Sequence, residues 1–252
     1  MRTLISWYQT VANSLRYEGI PILLWRILAK LLSPVASVYT QMLFEYDLTR
    51  SIEPRPARIK CTVGLATEAE LDALVDQQLD RPLPDDAELS DEDEYHRAWL
   101  HRERARLRNE YREWFRAGEL CFVARVGDEI AHNNWLHVYG CAHLSSRPID
   151  LGPGEVYAAE GSTAVRWRGK RVHEEVNAFM LRYAQDRGYR LAYTITDITK
   201  AGARRGILRV GWRKRGQHIT ITPRRLGRTW MFRLSGDVGP IARDFMGISL
   251  RS

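Results

Sequence analysis

Two glutamates in one short stretch have the residue type and spacing to do acid–base chemistry. Glu155 and Glu160 lie on one predicted strand, and a carboxylate close to an amine can accept its proton, directly or through water. Their separation of five residues is odd, so a regular strand would point them to opposite faces. The strand therefore offers one carboxylate to a cleft, or both only if a β-bulge intervenes.

A basic loop ahead of a predicted helix is the second candidate. The segment 168–173 leads into a helix that begins near Val172. A loop that feeds a helix N-terminus presents unpaired N–H groups, which bind a diphosphate together with the helix dipole. Gly169 allows close approach of the backbone, and Arg171 can add positive charge. The pattern predicts an anion site, and a surface loop that caps an ordinary helix is the alternative.

Other catalytic and metal patterns are missing from the sequence. The histidines have no HExxH or comparable spacing, so we predict no metal site. Ser145 and Ser146 lack the glycines of a nucleophile elbow. The three cysteines are far apart, with no CxxC pair, which gives neither a disulfide framework nor a cysteine zinc site.

Charge is distributed unevenly along the chain. Residues 66–100 carry 12 acidic and 2 basic residues, whereas residues 161–252 carry 20 basic and 6 acidic ones. The net charge is +7. A basic C-terminal half favours an anionic partner, such as the phosphates of CoA, a nucleic acid or a membrane surface, and charge alone does not choose among them.

Hydrophobic periodicity predicts an α/β (α+β mixed sheet) body over 57–252. A hairpin in its middle and a later β-α-β unit imply a mixed sheet with helices on both faces. Strands are predicted over 59–65, 120–126, 130–139, 155–164, 191–196, 213–222 and 229–234. Helices are predicted after Thr67 and over 95–115, 172–187 and 200–210.

The first 56 residues predict a helical N-terminal appendage with a linker at its end. Leucines, isoleucine and valine recur at helical spacing from Leu23 to Val35, opposite Arg26 and Lys30. The helix either packs on the body or lies in a membrane interface, which makes residues 20–38 a candidate peripheral contact. The two charges argue against a spanning helix. With no signal peptide visible, we expect a cytoplasmic protein, with the inner face of the membrane as a second location.

The element order and four short segments resemble the GNAT (Gcn5-related) N-acetyltransferase, or acyl-CoA N-acyltransferase, superfamily. The resemblance covers about 59–222, two-thirds of the chain. It is carried by the strand and helix start 62–71, the strand pair 121–130, the loop 168–173 and the pair Gly211-Trp212. The loop falls where the family has its acyl-CoA motif Q/R-x-x-G-x-G/A. It departs from that motif at Arg171 and His173.

This resemblance implies a set of site residues. The general base is Glu155 or Glu160, with Glu155 slightly preferred by its position. Ile207 and Leu208 stand where the family often has a Tyr general acid. The implied acyl-CoA contacts are Ser162, Thr163, Ala164, Val165, Arg168, Gly169, Lys170, Arg171, Val172, His173, Thr199 and Arg204.

The function that the resemblance implies is acyl transfer, most simply of acetyl, from acyl-CoA to an amine of an unidentified acceptor, with a membrane surface as one possible setting. No metal takes part. A catalytically inactive module that binds an anionic ligand, nucleic acid or a protein partner is the alternative, since the loop is altered and the Tyr is missing. Nucleic-acid binding through 204–228 is less favoured, because that basic stretch carries no recognised motif.

Overall fold

The structure, a computed structural model, describes residues 20–79, 91–138, 142–144, 147–149, 151–225 and 230–237. The chain divides into two compact units, one of residues 47–192 and one that joins 1–46 with 193–252. Both contain helices and strands, so the predicted α/β class is confirmed.

The elements are numbered in chain order. The helices and strands are α1 Ile20–Leu32, β1 Ala36–Asp47, β2 Thr62–Leu65, α2 Leu71–Leu79, α3 Asp91–Arg116, β3 Leu120–Val126, β4 Glu129–His137, β5 Ala142–Leu144, β6 Arg147–Ile149, β7 Glu155–Thr163, α4 Val172–Asp186, β8 Leu191–Asp197, α5 Ala201–Val210, β9 Arg213–Pro223 and β10 Trp230–Gly236. Single 3-10 turns cover Glu68–Glu70 and Val165–Trp167.

The unit of residues 47–192 is built on four strands in the order β7-β4-β3-β2. Each is antiparallel to its neighbour. The predicted hairpin is β3 and β4, and Gly127 takes a positive φ of 60° in its turn, a conformation that costs glycine little. A separate antiparallel pair, β5 and β6, lies in the connection to β7 and was not predicted.

Alternate residues of β3 send their side chains to opposite faces of this sheet, as strand geometry requires. On one face Cys121 and Val123 join a buried cluster with α2 and α3, which includes Leu74 and Tyr111. On the other face the ring of Phe122 packs edge-on against Tyr183 of α4, with centroids 5.0 Å apart. The sheet is therefore covered on both faces, and α4 is fixed with its N-terminus at the end of the loop that follows β7.

The unit of residues 1–46 and 193–252 has the strand order β10-β9-β1-β8. Strand β1 pairs antiparallel with β9 from Ala36 opposite Pro223 to Glu45 opposite Arg213. Helix α5 ends at Gly211, whose φ of 109° suits a left-handed cap. The next residue, Trp212, is buried and meets the ring of Tyr46 edge-on at 5.8 Å.

Strand β1 is the principal element that the sequence did not predict. It lies within the first 56 residues, where only a helix and a linker were expected, and it takes a place between β9 and β8. The expected helix is present as α1, but it ends at Leu32 and not at Val35. The other predicted helices and strands appear with shifts of a few residues at their ends; the helix expected from residue 95, for example, begins at Asp91.

Candidate functional site

The loop between β7 and α4 has left-handed backbone at two residues, Gly169 and Arg171. Arg171 stands where the family motif has its first glycine, and its φ and ψ are 61° and 17°, in the left-handed region. Gly169 also has a positive φ, of 76°. A non-glycine residue adopts this region at a cost of about 1 kcal/mol or more. The chain therefore accepts strain at Arg171 to hold a conformation that glycine would take without it.

The second departure, His173, has its ring turned inward. The ring lies edge-on to that of His132 with centroids 5.3 Å apart, and its Nε2 is 3.1 Å from Nδ2 of Asn177. Burial lowers the pKa of His173 to about 4, against a small opposing effect of Glu174, so the ring is neutral at pH 7. Its side chain therefore packs between β4 and α4, which leaves the loop in front of the helix open to approach.

The first turn of α4 presents backbone N–H groups at the end of the loop. No side chain caps this helix at Arg171, whose carbonyl accepts the N–H groups of Glu174 and Glu175 at 3.0 and 3.2 Å. The carboxylate of Glu175 accepts the N–H of Ala57 at 2.8 Å and the thiol of Cys61 at 3.2 Å. The N–H groups of the two residues before Glu174 have no intrahelical acceptor, as at any helix start, and can bind an anion.

The end of β7 is held by side chains from three directions. The carbonyl of Ser162 accepts Nε2 of Gln77 at 3.1 Å, and that of Thr163 accepts Nε of Arg168 at 3.1 Å. The hydroxyl of Thr163 is 2.8 Å from Nδ1 of His132. A ligand amide that pairs with this backbone must share these carbonyls, since each carbonyl oxygen has two lone pairs. Arg168 thus ties the loop to the strand in addition to supplying charge.

The two candidate carboxylates have different surroundings. Glu155 accepts the N–H of Gly152 at 2.7 Å, so its carboxylate closes the turn before β7. Glu160 lies at a break in the β4–β7 register, between the pairs Asn133–Ser162 and Trp135–Ala159, and has a positive φ of 49°. The bulge that the spacing argument required for both carboxylates to share a face is therefore present, at Glu160 itself.

A cavity of about 310 Å³ opens beside Glu160. Two helices supply the rest of its described lining, which consists of Gln78 and Leu79 from the end of α2 and Trp99, Glu103, Arg106 and Leu107 from α3. Trp99, Glu103 and Arg106 follow one another at intervals of four and three, which places them on one face of the helix. This spacing is visible in the sequence, but by itself it does not distinguish the lining of a cavity from a solvated helix face.

His132 and Asn177 were also missed. Both are buried, at 0% and 2% exposure, and burial lowers the pKa of His132 well below its ordinary value, with a further contribution from His173. Single residues on a strand and a helix give no spacing signal. Their contacts with His173, and that of His132 with Thr163, reveal their part in holding the loop.

Two predicted ligand contacts lie in the other unit, where they make local bonds. The hydroxyl and N–H of Thr199 donate to Oδ1 of Asp197 at 2.5 and 2.7 Å, in a tight turn after β8. Nη1 of Arg204 donates to the carbonyl of Ile198. Both side chains therefore stabilise the start of α5.

Within the described ranges, no group of three or more His, Cys, Asp or Glu residues is arranged to hold a metal ion. In the same part of the chain, no helix is both long enough and apolar enough to cross a membrane.

Comparison with known proteins finds similarity in structure only. No family model matches the chain, and no curated protein matches it. A conserved protein of unknown function from Staphylococcus epidermidis aligns with a TM-score of 0.50 at 11% identity, over 78% of this chain and 66% of that one. A GNAT-family acetyltransferase from Colwellia psychrerythraea aligns at 0.48 and 12%, over 79% and 61%, and a GCN5-related N-acetyltransferase from Sphaerobacter thermophilus at 0.45 and 14%, over 77% and 55%.

At 11% identity, the alignment with the Staphylococcus epidermidis protein shows a common fold and no more. This chain spans two-thirds or less of the length of each of the three.

Proposed function

We propose that this protein transfers an acyl group, most simply acetyl, from acyl-CoA to the amine of an acceptor. The loop 168–173 is the observation that carries the proposal. It has left-handed residues at Gly169 and Arg171, an inward-turned His173 and a helix start without a side-chain cap. A diphosphate has the right charge for such a helix N-terminus.

Residues 162–165 are proposed to hold the pantetheine arm through their backbone, as an added strand would. Arg168 keeps the loop against Thr163, and Lys170 and Arg171 are exposed and can add charge toward the phosphates. Thr199 and Arg204 remain proposed contacts.

Glu160 is proposed as the general base. It takes one proton from the acceptor ammonium, and the neutral amine nitrogen then attacks the thioester carbonyl. The tetrahedral intermediate gives up a second proton from this nitrogen and collapses with loss of the CoA thiolate, which takes up that proton. Glu160 lines a cavity large enough for an amine, whereas the carboxylate of Glu155 is bonded to a turn. No Tyr stands in α5, where Ile207 and Leu208 lie, so the proton released by the nitrogen reaches the thiolate directly or through water, without a tyrosine general acid.

Ligand-induced stabilisation tests the CoA site. Acetyl-CoA at about 100 times its Kd should raise the melting temperature by about 5–10 °C. Arg168→Ala should remove most of this shift, because the loop loses its bond to Thr163. Arg166→Ala is the matched control. Arg166 is an exposed arginine of the same loop that pairs with Glu129 of β4 at 2.8 Å, so this variant should leave the shift intact.

The absence of a shift with acetyl-CoA and with longer acyl-CoA thioesters would overturn the proposal and favour the inactive ligand-binding module. Duplex DNA binding with a steep salt dependence would point instead to a nucleic-acid partner.

A peripheral contact with an anionic membrane is a second part of the proposal, supported by α1. Its apolar side chains are exposed at helical spacing, with Leu24 at 59%, Leu28 at 45% and Leu31 at 71%. The stretch 20–44 contains no acidic residue. The N–H of Arg224 donates to the carbonyl of Val35 at 3.0 Å, which puts an exposed arginine at the end of this apolar face. An apolar stripe beside cations is typical of helices that lie on anionic lipid surfaces.

Vesicle co-sedimentation tests the membrane contact. The protein should bind vesicles that contain phosphatidylglycerol and bind pure phosphatidylcholine more weakly. Replacing Leu24, Leu28 and Leu31 together by Ser should abolish binding, whereas Leu208→Ser, at an equally exposed leucine of α5, should not. Equal sedimentation of wild type and triple variant would contradict the membrane role of α1.

A further inference from the structure

The cavity beside Glu160 has a chemistry that selects its ligand. We infer that it binds a small organic cation, a primary ammonium carried on an apolar or aromatic body and without an acidic group. This inference rests on the proposed function, because it names the class of acceptor whose amine Glu160 would deprotonate. The cavity lies wholly within the unit of residues 47–192.

The described residues that line the cavity carry a net negative charge. Arg106 is its only described cation, and two carboxylates already hold it. Glu103 binds it in a two-pronged arrangement at 2.7 and 3.0 Å, and Glu110 accepts a third N–H at 2.6 Å. These three side chains sum to one negative charge, and the carboxylate of Glu160, which has contacts of its own within the protein, also lines the cavity. An ammonium is therefore attracted, and a carboxylate or phosphate on the ligand is repelled.

The bulge provides an independent indication of a ligand site. Glu160 and Arg171 are the two non-glycine residues with positive φ in the described part of the chain. Strained residues persist where the surrounding structure enforces them, often at binding and catalytic sites. A β-bulge turns a side chain away from the alternation of its strand, and bulges are frequent beside active sites. The strained backbone at Glu160 directs its carboxylate to the cavity. A negatively charged group there suits a ligand that carries positive charge.

The remaining lining defines the body of the ligand. Trp99, which is 39% exposed, offers an indole to a cation or a flat apolar group. Leu79 and Leu107 add aliphatic surface. A volume of about 310 Å³ is at the small end of ligand pockets, which suits a molecule of about ten heavy atoms or the end of a longer amine.

Calorimetric binding of three matched probes tests the inference without any acyl transfer. Phenethylamine should bind, 2-phenylethanol should bind at least about tenfold more weakly because it lacks the charge, and 3-phenylpropionate should not bind. Titrations are made with and without saturating CoA, so that a site completed by CoA is also detected.

Variants locate the binding. Glu160→Gln and Glu103→Gln should each weaken phenethylamine binding about tenfold. Glu113→Gln removes the same charge from an exposed position of α3 outside the cavity lining and should leave the affinity within about twofold. Trp99→Leu should weaken phenethylamine more than it weakens butylamine, because only the former presents a ring to the indole.

Binding of 3-phenylpropionate as tight as that of phenethylamine would overturn the inference, as would equal loss in Glu113→Gln and Glu160→Gln. Amine binding without any response to acyl-CoA would uphold the cation site and reject the transferase. A response to acyl-CoA without amine binding would support the transferase and reject the cation site.

Discussion

At the scale of single residues, the loop 168–173 shows how two departures from a motif can be accommodated differently. Arg171 takes the left-handed backbone that glycine would have supplied, and its side chain stays exposed. His173 keeps ordinary helical backbone, and its ring is removed from the loop surface by packing against His132 and Asn177. At Arg171 the backbone conformation sets the shape of the loop. At His173 the inward direction of the side chain keeps the ring off the loop surface.

The half-buried imidazole of His173 predicts a pH dependence of stability. Its pKa in the folded state is about 4, below the ordinary value of 6.5, because burial disfavours the charged ring. The unfolded state therefore binds more protons between pH 6.5 and 4, so the stabilisation is present above pH 6.5 and is lost as pH falls through this window.

Urea unfolding at several pH values measures this dependence. The free energy of unfolding should fall from pH 7 to pH 5 in the wild type, and it should fall less steeply in His173→Gln. His101→Gln, at an exposed position of α3, should keep the wild-type slope. Identical slopes in all three proteins would show that His173 is not buried as neutral imidazole.

At the scale of elements, the junction of β2, α2 and β3 depends on one carboxylate. Glu70 accepts the N–H of Thr67 at 3.0 Å and also Nε and Nη2 of Arg125 at 2.9 and 2.6 Å. Burial raises its pKa, but the bonds from Arg125 and Thr67 outweigh this effect, and the pKa of Glu70 lies below its ordinary value. The capping residue predicted from the sequence thus also joins the helix to the sheet.

Glu70→Ala should therefore destabilise the protein by about 2 kcal/mol, because it removes three hydrogen bonds, two of them within an ion pair. Glu68→Ala, at an exposed residue whose carboxylate is 3.8 Å from Arg112, should cost about 0.5 kcal/mol or less. Chemical denaturation compares them. Equal losses of stability in the two variants would mean that the contacts of Glu70 stabilise the protein no more than a surface ion pair does.

At the scale of the whole molecule, residues from the two ends of the chain build one compact unit. Strand β1 lies on the N-terminal side of the domain boundary expected near residue 56, and it pairs with β9 over ten residue pairs from Ala36 to Glu45. Phe44 and Leu43 of this strand are buried at 1% and 0% exposure. Its removal would open a sheet and expose a core.

Two truncations test this role of β1. A chain of residues 36–252 lacks α1 but keeps β1, and it should retain a cooperative thermal transition. A chain of residues 57–252, which follows the boundary expected from the sequence, should lose that transition or become insoluble, because β9 and β8 lose the strand between them. Cooperative unfolding of 57–252 would instead support the boundary near residue 56.

By itself, the sequence determined most helices and strands after residue 57, because their apolar periods, glycine stops and turn residues are local properties of the chain. It also located the basic loop and both candidate glutamates. Tertiary structure decided the rest. The strand β1 owes its place to pairing with residues 168 to 187 positions further along the chain. Whether Glu155 or Glu160 faces a cavity depended on a bulge that spacing can allow but cannot place. Contacts between distant segments set these features, and no local pattern encodes them.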